Sequence, residues 1–98
     1  MVNENGAKEG ITVSSTDKMI SRLRAIGDEV SHAALASENI ADSEREAMNT
    51  IIGHVVEVLD SLVHYRNLFV LKMVGPDCKE LVELMQLGEA IHQQFETA

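Results

Sequence analysis

The sequence predicts an all-α fold in which three helices, the central one longest, form a helical bundle that we expect to be a homodimer. Apolar residues recur at three- and four-residue steps through three segments, and the one proline, Pro76, separates the last two. Such steps place apolar side chains along one face of a helix. The predicted helices span residues 16–36, 43–74 and 76–96, and they form a single domain (16–98) behind a flexible arm (1–15).

The first predicted helix has good capping residues and a narrow apolar row. Ser15 or Thr16 is suited to cap it, with Asp17 in the first turn. Its apolar row suits packing along one other helix and consists of Met19, Leu23, Ile26, Val30 and Ala33. A short connection over residues 37–42 predicts that the second helix folds back antiparallel. Before the helix, Ile11–Val13 is the segment of the arm that we expect to dock on the body.

The central predicted helix has an apolar face too wide for a two-stranded coiled coil. Ser43 and Glu46 have the spacing of a capping box at its start, and Gly75-Pro76 is typical of a helix end. Between them lie two overlapping apolar rows that together need cover on more than one side: Met48, Ile51, Ile52, Val55, Val58, Leu59, Leu62, Tyr65, Phe69 and Met73. An alternative interpretation is that residues 68–74 form a short buried strand, because periodicity alone does not show whether a short apolar run is a strand or part of a buried helix.

The third predicted helix begins at Pro76, a residue favoured in a first helical turn. One apolar row follows from it: Leu81, Leu84, Gly88, Ile91 and Phe95. Gly88 stands on this row where a larger side chain is usual. We interpret it as a point where a neighbouring helix approaches closely.

The composition indicates which kinds of partner and which cellular compartment are expected for this protein. The net charge is −8, from 16 acidic and 8 basic residues, which argues against direct binding to nucleic-acid phosphates or an anionic membrane. A single cysteine allows no internal disulfide framework and fits a reducing compartment. We find neither a leader pattern nor a long uninterrupted apolar run, so we expect a cytoplasmic protein. The apolar content of 45% exceeds what one small core needs and favours self-association.

Two Glu-x-x-His units offer the clearest candidate for a metal site. Glu29 with His32 and Glu89 with His92 have the spacing found in carboxylate-bridged di-metal bundles, and Glu57 of a second copy would extend that ligand set. The apolar row of the first helix, however, places Glu29 at its margin and His32 toward solvent. Ordinary solvated helix faces explain both units, and no cofactor is expected.

Catalytic patterns are weak. His54, Glu57, Asp60 and His64 follow one side of the central helix, which is typical of a water-facing strip, although an Asp60–His64 acid–base pair is conceivable there. Cys78 has no second cysteine in a CxxC pattern. The sequence also lacks a glycine-rich phosphate loop and a Gly-x-Ser-x-Gly motif. We therefore predict that this chain is not an enzyme.

The leading functional hypothesis is a small, acidic, non-catalytic protein–protein interaction module, such as an adaptor, a chaperone or an inhibitor of a larger partner. Its expected partners are a second copy of itself and another protein. Candidate contacts fall into two groups, an apolar strip and the acidic third helix: Leu68, Phe69 and Met73, and Glu80 and Glu83. One alternative is a nucleic-acid mimic that inhibits a DNA-binding protein. Another is a carboxylate–histidine metal bundle.

Overall fold

The computed structural model describes residues 11–36, 39 and 41–97, and its regular structure consists of three helices. They are α1 (Val13–Ala36), α2 (Asp42–Val70) and α3 (Lys79–Thr97). No strand occurs among the described residues, so the predicted all-α fold with a long central helix is confirmed. None of these helices has an apolar stretch long enough to cross a membrane. Residues 1–10 of the predicted arm lie outside the described part.

The first helix begins at Val13, three residues before the predicted start. Thr12 and Ser15 explain the earlier start, because they form a reciprocal capping pair. The Thr12 amide donates to Ser15 Oγ at 2.8 Å, and the Ser15 amide donates to Thr12 Oγ1 at 2.9 Å. Ile11, just outside the helix, is partly buried against the core, so this end of the predicted arm does dock on the body.

The second helix starts without the predicted capping box. Its N-cap residue is Ala41, which makes no side-chain capping bond, and its carbonyl accepts the amides of Glu44 and Arg45 at 3.0 Å each. Ser43 therefore lies inside the first turn, and the predicted Ser43–Glu46 box is wrong. Asp42 and Glu44 in the first turn instead favour this start through the helix dipole.

The second helix ends at Val70, four residues before the predicted end, in a Schellman motif. The Met73 amide donates to the Leu68 carbonyl at 2.8 Å, and the Lys72 amide donates to the Phe69 carbonyl at 3.0 Å. Lys72 occupies the left-handed position of the motif, with φ of 61°. The alternative strand over residues 68–74 is thereby excluded: 68–70 are helical and 71–74 form the turn.

Pro76 lies in the connection to α3 and not in the first turn of that helix as predicted. The Cys78 amide donates to the Gly75 carbonyl at 3.1 Å, which closes a tight turn with proline in its favoured second position. Helix α3 then begins at Lys79, three residues later than expected. The connection between α2 and α3, residues 71–78, is called the tip below.

The core is built from all three helices. Gly27 of α1 faces Val55 of α2, and Asp17 pairs with Arg66, so α1 and α2 are antiparallel. Gly88 of α3 lies against Met19, and further along α3 His92 and Phe95 share a groove with Ala25 and Ile26 of α1, so α3 runs alongside α1 in the same direction. The buried apolar residues come mainly from the predicted rows: Met19, Ile20, Leu23, Ile26, Val55, Val58, Leu62, Leu81 and Ile91.

The third helix covers only part of the α1–α2 pair. It has 19 residues against 29 in α2, a difference of about 15 Å at a rise of 1.5 Å per residue. Its last turns lie near Ala25 and Ile26 of α1 and near Thr50 and Ile51 of α2. Beyond that level α1 and α2 continue as a two-helix hairpin, and Ala33, predicted to be in the apolar row, is exposed there.

Candidate interaction surfaces

An apolar groove opens where α3 ends against α2. It has a volume of about 540 Å³, and we call it the hairpin groove. Its main lining residues are Thr50, Ile51, His54, Ile91, Gln94 and Phe95. Ile51 and Phe95 each remain 37% exposed although they belong to the predicted apolar rows. The cause is the short third helix, which leaves these side chains without a neighbour on one side.

Acidic residues flank the hairpin groove on the α2 side. Thr50 and His54 line it, and Glu46 and Glu57 continue the same row at steps of four and three residues. The Thr50 hydroxyl donates to the Glu46 carbonyl at 3.0 Å, which turns that side chain back onto the helix. Both glutamates are exposed. The groove is therefore apolar at its floor, and the α2 row that forms one edge has a glutamate beyond each end of that edge.

A second groove lies at the opposite end of the molecule, beside the tip. We call it the tip groove; its volume is about 590 Å³, and it is lined mainly by Val13, Phe69, Val70, Lys72, Met73 and Pro76. Lys72 is the one charged residue among all its lining residues. The apolar side chains of the tip itself protrude, with Leu71 at 66% and Met73 at 69% exposure.

The residues predicted as contacts fall in and around the tip. Leu68 and Phe69 are half-buried, and Phe69 both packs against the core and lines the tip groove. Met73 is exposed, as are Glu80 and Glu83 in the first turns of α3. The predicted strip, Leu68–Met73, spans Leu71 and Lys72 but did not single them out. The sequence interpretation continued the helix through residue 74, so it did not recognise the turn that exposes these two side chains.

The metal candidates are not brought together as a ligand set. On α3, His92 Nδ1 lies 3.8 Å from Glu89 Oε2, and His92 Nε2 lies 3.8 Å from Glu96 Oε2. Glu29 lines a shallow groove with His92, whereas His32 and Glu57 are exposed elsewhere. In the described part of the chain, no group of three or more His, Cys, Asp or Glu residues is arranged to hold a metal ion.

The α3 histidine lies instead beside an ion pair between α1 and α3. Arg22 Nη1 lies 3.3 Å from Glu89 Oε1, which connects α1 to α3. His92 Nδ1 is buried and has no hydrogen-bond partner. With side chains about half exposed, the Arg22–Glu89 pair adds little stability, but it places a cation beside α3.

The proposed catalytic strip on α2 remains a set of separate exposed groups. His54, Glu57, Asp60 and His64 are all exposed, and no hydrogen bond or ion pair joins Asp60 to His64 within the described residues. The His64 ring contacts the edge of Tyr65, with centroids 5.2 Å apart. Cys78 is half-buried, and its thiol donates to Glu80 Oε1 at 3.5 Å.

One ion pair between helices stands out by its geometry. Arg66 Nε donates to Asp17 Oδ1 at 2.8 Å, and Arg66 Nη2 donates to Oδ2 at 3.3 Å, a two-point contact between α2 and α1. The hydrogen bonds from Arg66 have the largest effect on the pKa of Asp17 and lower it; desolvation opposes them, and the charge of Arg66 adds a smaller lowering effect. The same hydrogen bonds raise the pKa of Arg66.

Charge is distributed unevenly between the two ends. Residues 28–57, which include the hairpin, hold seven acidic residues against Arg45 alone. Residues 66–79, around the tip, hold three basic residues against Asp77 alone. Glu80 and Glu83 follow on α3 but do not line the tip groove. The hairpin end is therefore strongly negative, whereas the tip is neutral overall, with Lys72 and Asp77 as its charged residues.

Comparison with known protein families, with curated proteins and with solved structures found no match for this chain.

Proposed function

We propose that this chain is a non-catalytic protein–protein interaction module that associates with itself and acts as an adaptor for another protein. The observation that carries the proposal is the hairpin groove. A third helix that ends early leaves Ile51 and Phe95 with more than a third of their surface in water, inside a groove of about 540 Å³. Apolar side chains of a partner would bury this surface.

The groove has the features of a protein-binding site. An aromatic residue stands in it, and aromatic residues near the centre of an interface often contribute most of its binding free energy. The floor is apolar, whereas Thr50, His54 and Gln94 supply polar groups around it. This arrangement of an apolar centre and a polar rim is typical of interfaces that form between folded proteins.

The test compares self-association of the wild type with two groove variants. Phe95→Ala removes the aromatic wall, and Thr50→Trp fills the groove from its exposed edge without removing a core contact. We expect each to weaken association in sedimentation velocity by about tenfold or more, since loss of an interface anchor costs more than about 1.4 kcal/mol. Circular dichroism checks that both remain helical.

The matched control is Leu35→Ala. Leu35 is an apolar residue of the hairpin that is 85% exposed and does not line the groove, so its removal should leave association unchanged. The proposal is wrong if the wild type stays monomeric up to millimolar concentration. It is equally wrong if both groove variants associate like the wild type.

A further inference from the structure

We infer that self-association is head to tail: the tip of one copy, through Leu71, Lys72 and Met73, docks in the hairpin groove of a second copy. The inference rests on the proposed function and adds to it the identity and orientation of the two contact surfaces. It also differs from the closed homodimeric bundle that the sequence predicts.

The tip has the shape of a docking element. The two hydrogen bonds of the Schellman motif fix the backbone from residue 68 to residue 73. They hold Leu71 and Met73, each about two-thirds exposed, on either side of Lys72. Because the turn is already ordered, an interface made with it avoids much of the entropy cost of immobilising a loop.

Lys72 is an unusual residue for its position. Its φ of 61° lies in the left-handed region, where glycine carries no steric penalty and other residues do. Strained residues that persist in a fold often serve a function through their side chains. Lys72 makes no ion pair with another described residue, so nothing within the described part of its own chain uses the ammonium group.

Charge complementarity selects the second copy as the occupant. The tip groove has Lys72 as its one charged lining residue. No acidic residue of the described chain lines the hairpin groove, but Glu46 and Glu57 lie one helical step beyond the residues that form its α2 edge. If two tips faced each other, the Lys72 side chains of the two copies would be brought together. If two hairpins faced each other, the seven acidic residues of each copy would be brought together. Docking a tip onto a hairpin brings opposite charges together, and like-charge juxtaposition disfavours the other two arrangements.

Docked end to end, two copies do not satisfy all of their contact surfaces, because the tip and the hairpin groove lie at opposite ends of the chain. Each end-to-end pair keeps one free tip and one free groove, whereas an antiparallel side-by-side pair would fill both grooves and stop at the dimer. Head-to-tail contacts of this kind build a ring where the rotation closes and a filament where it does not. Assembly beyond a dimer is therefore expected as concentration rises.

Disulfide trapping tests the orientation. In a Cys78→Ala background, Met73→Cys places a thiol on the tip, and Gln94→Cys places one at the hairpin groove without removing its apolar walls. Each variant alone should give little covalent dimer under mild oxidation. An equimolar mixture should give a disulfide-linked pair of one Met73→Cys and one Gln94→Cys chain, identified by mass spectrometry.

The outcomes separate the inference from the proposed function. Faster crosslinking of either single variant than of the mixture would show a tip–tip or groove–groove interface and overturn the inference alone. Absence of crosslinks in a protein that still associates would also overturn only the inference. Absence of both crosslinks and association would overturn the proposed function as well.

A charge reversal gives a second readout. Lys72→Glu should weaken association by at least tenfold, and wild-type association should weaken as salt is raised, since screening reduces exposed charge pairing. The control Lys79→Glu makes the same change in charge seven residues away, on a residue that does not line the tip groove. Equal weakening by both variants would assign the effect to net charge and contradict specific docking of Lys72.

Discussion

Gly88 lies directly against Met19, and a Cβ atom on Gly88 would stand 2.8 Å from the sulfur of Met19 and 2.9 Å from its Cγ. Met19 is only 3% exposed, so it has little room to move away. This contact brings α1 and α3 unusually close and fixes the level of α3 along α1. It thereby determines where α3 ends and where the hairpin groove opens.

Gly88→Ala should destabilise the fold. Overpacking a buried contact costs about 1–3 kcal/mol, and the better helix propensity of alanine offsets about 1 kcal/mol of that. We expect a net loss of about 1 kcal/mol, measured by chemical denaturation. Gly53→Ala is the matched control: a Cβ there meets nothing within 4 Å, so this variant should gain about 1 kcal/mol. If Gly88→Ala and Gly53→Ala both stabilised the fold, the close contact between Gly88 and Met19 would be contradicted.

The two helix starts predict opposite results for two alanine variants. Thr12→Ala removes the Oγ1 acceptor of the Ser15 amide and should cost about 1 kcal/mol of folding free energy. Ser43→Ala should be neutral or slightly stabilising, because Ser43 lies inside α2 and alanine is the better helix former. Thermal melting of the two variants measures this difference. A loss of stability in Ser43→Ala, with none in Thr12→Ala, would support the predicted capping box at Ser43 and contradict the observed helix starts.

The sequence was most informative about helix faces. Steps of three and four residues identified Met19, Leu23 and Ile26 as core, and all three are buried. The interpretation of Gly88 as a close helix approach is also confirmed. These predictions were correct for the same reason. The buried face of a helix is identified from a pattern over many residues, so one atypical residue does not change the prediction.

Helix ends were less predictable because each depends on one or two local hydrogen bonds. Thr12 with Ser15 was overlooked because serine replaces the usual glutamate of a capping box. The end of α2 was placed too late because its left-handed position holds Lys72 where glycine is the usual signal. The hairpin groove depends on the level at which α3 packs along α1 and α2. The end of α3 was predicted within one residue, but that level is set by tertiary contacts, which periodicity does not give.

Lys72→Gly should raise stability while weakening association. Relief of the left-handed strain is expected to contribute about 1 kcal/mol, measured by denaturant unfolding at a concentration where the wild type is monomeric. Loss of the ammonium group should weaken self-association in the same preparation. A variant that is more stable and associates as well as the wild type would leave Lys72 without a role in docking.

The Asp17–Arg66 pair predicts a specific pH dependence. Because the pKa of Asp17 is lowered in the fold, its contribution to stability is complete above its ordinary value of 3.8 and is lost as pH falls through the lowered value. The wild type should therefore have a higher melting temperature than Asp17→Asn near pH 6, and the two melting temperatures should converge as pH falls through the lowered pKa of Asp17.

The control for this pair is Asp60→Asn. Asp60 is exposed and makes no ion pair with a described residue, so its replacement should leave the melting curve close to that of the wild type at each pH. A constant difference between wild type and Asp17→Asn from neutral to acid pH would show that the carboxylate charge is not what stabilises this contact.

The most direct test of the account is light scattering of the wild-type protein over a range of concentrations at low and high salt. The account predicts a mass that rises with concentration beyond that of a dimer, and a smaller rise at high salt. A mass that stays at 10.8 kDa at every concentration would contradict self-association. A mass that stops at the dimer and ignores salt would contradict head-to-tail docking.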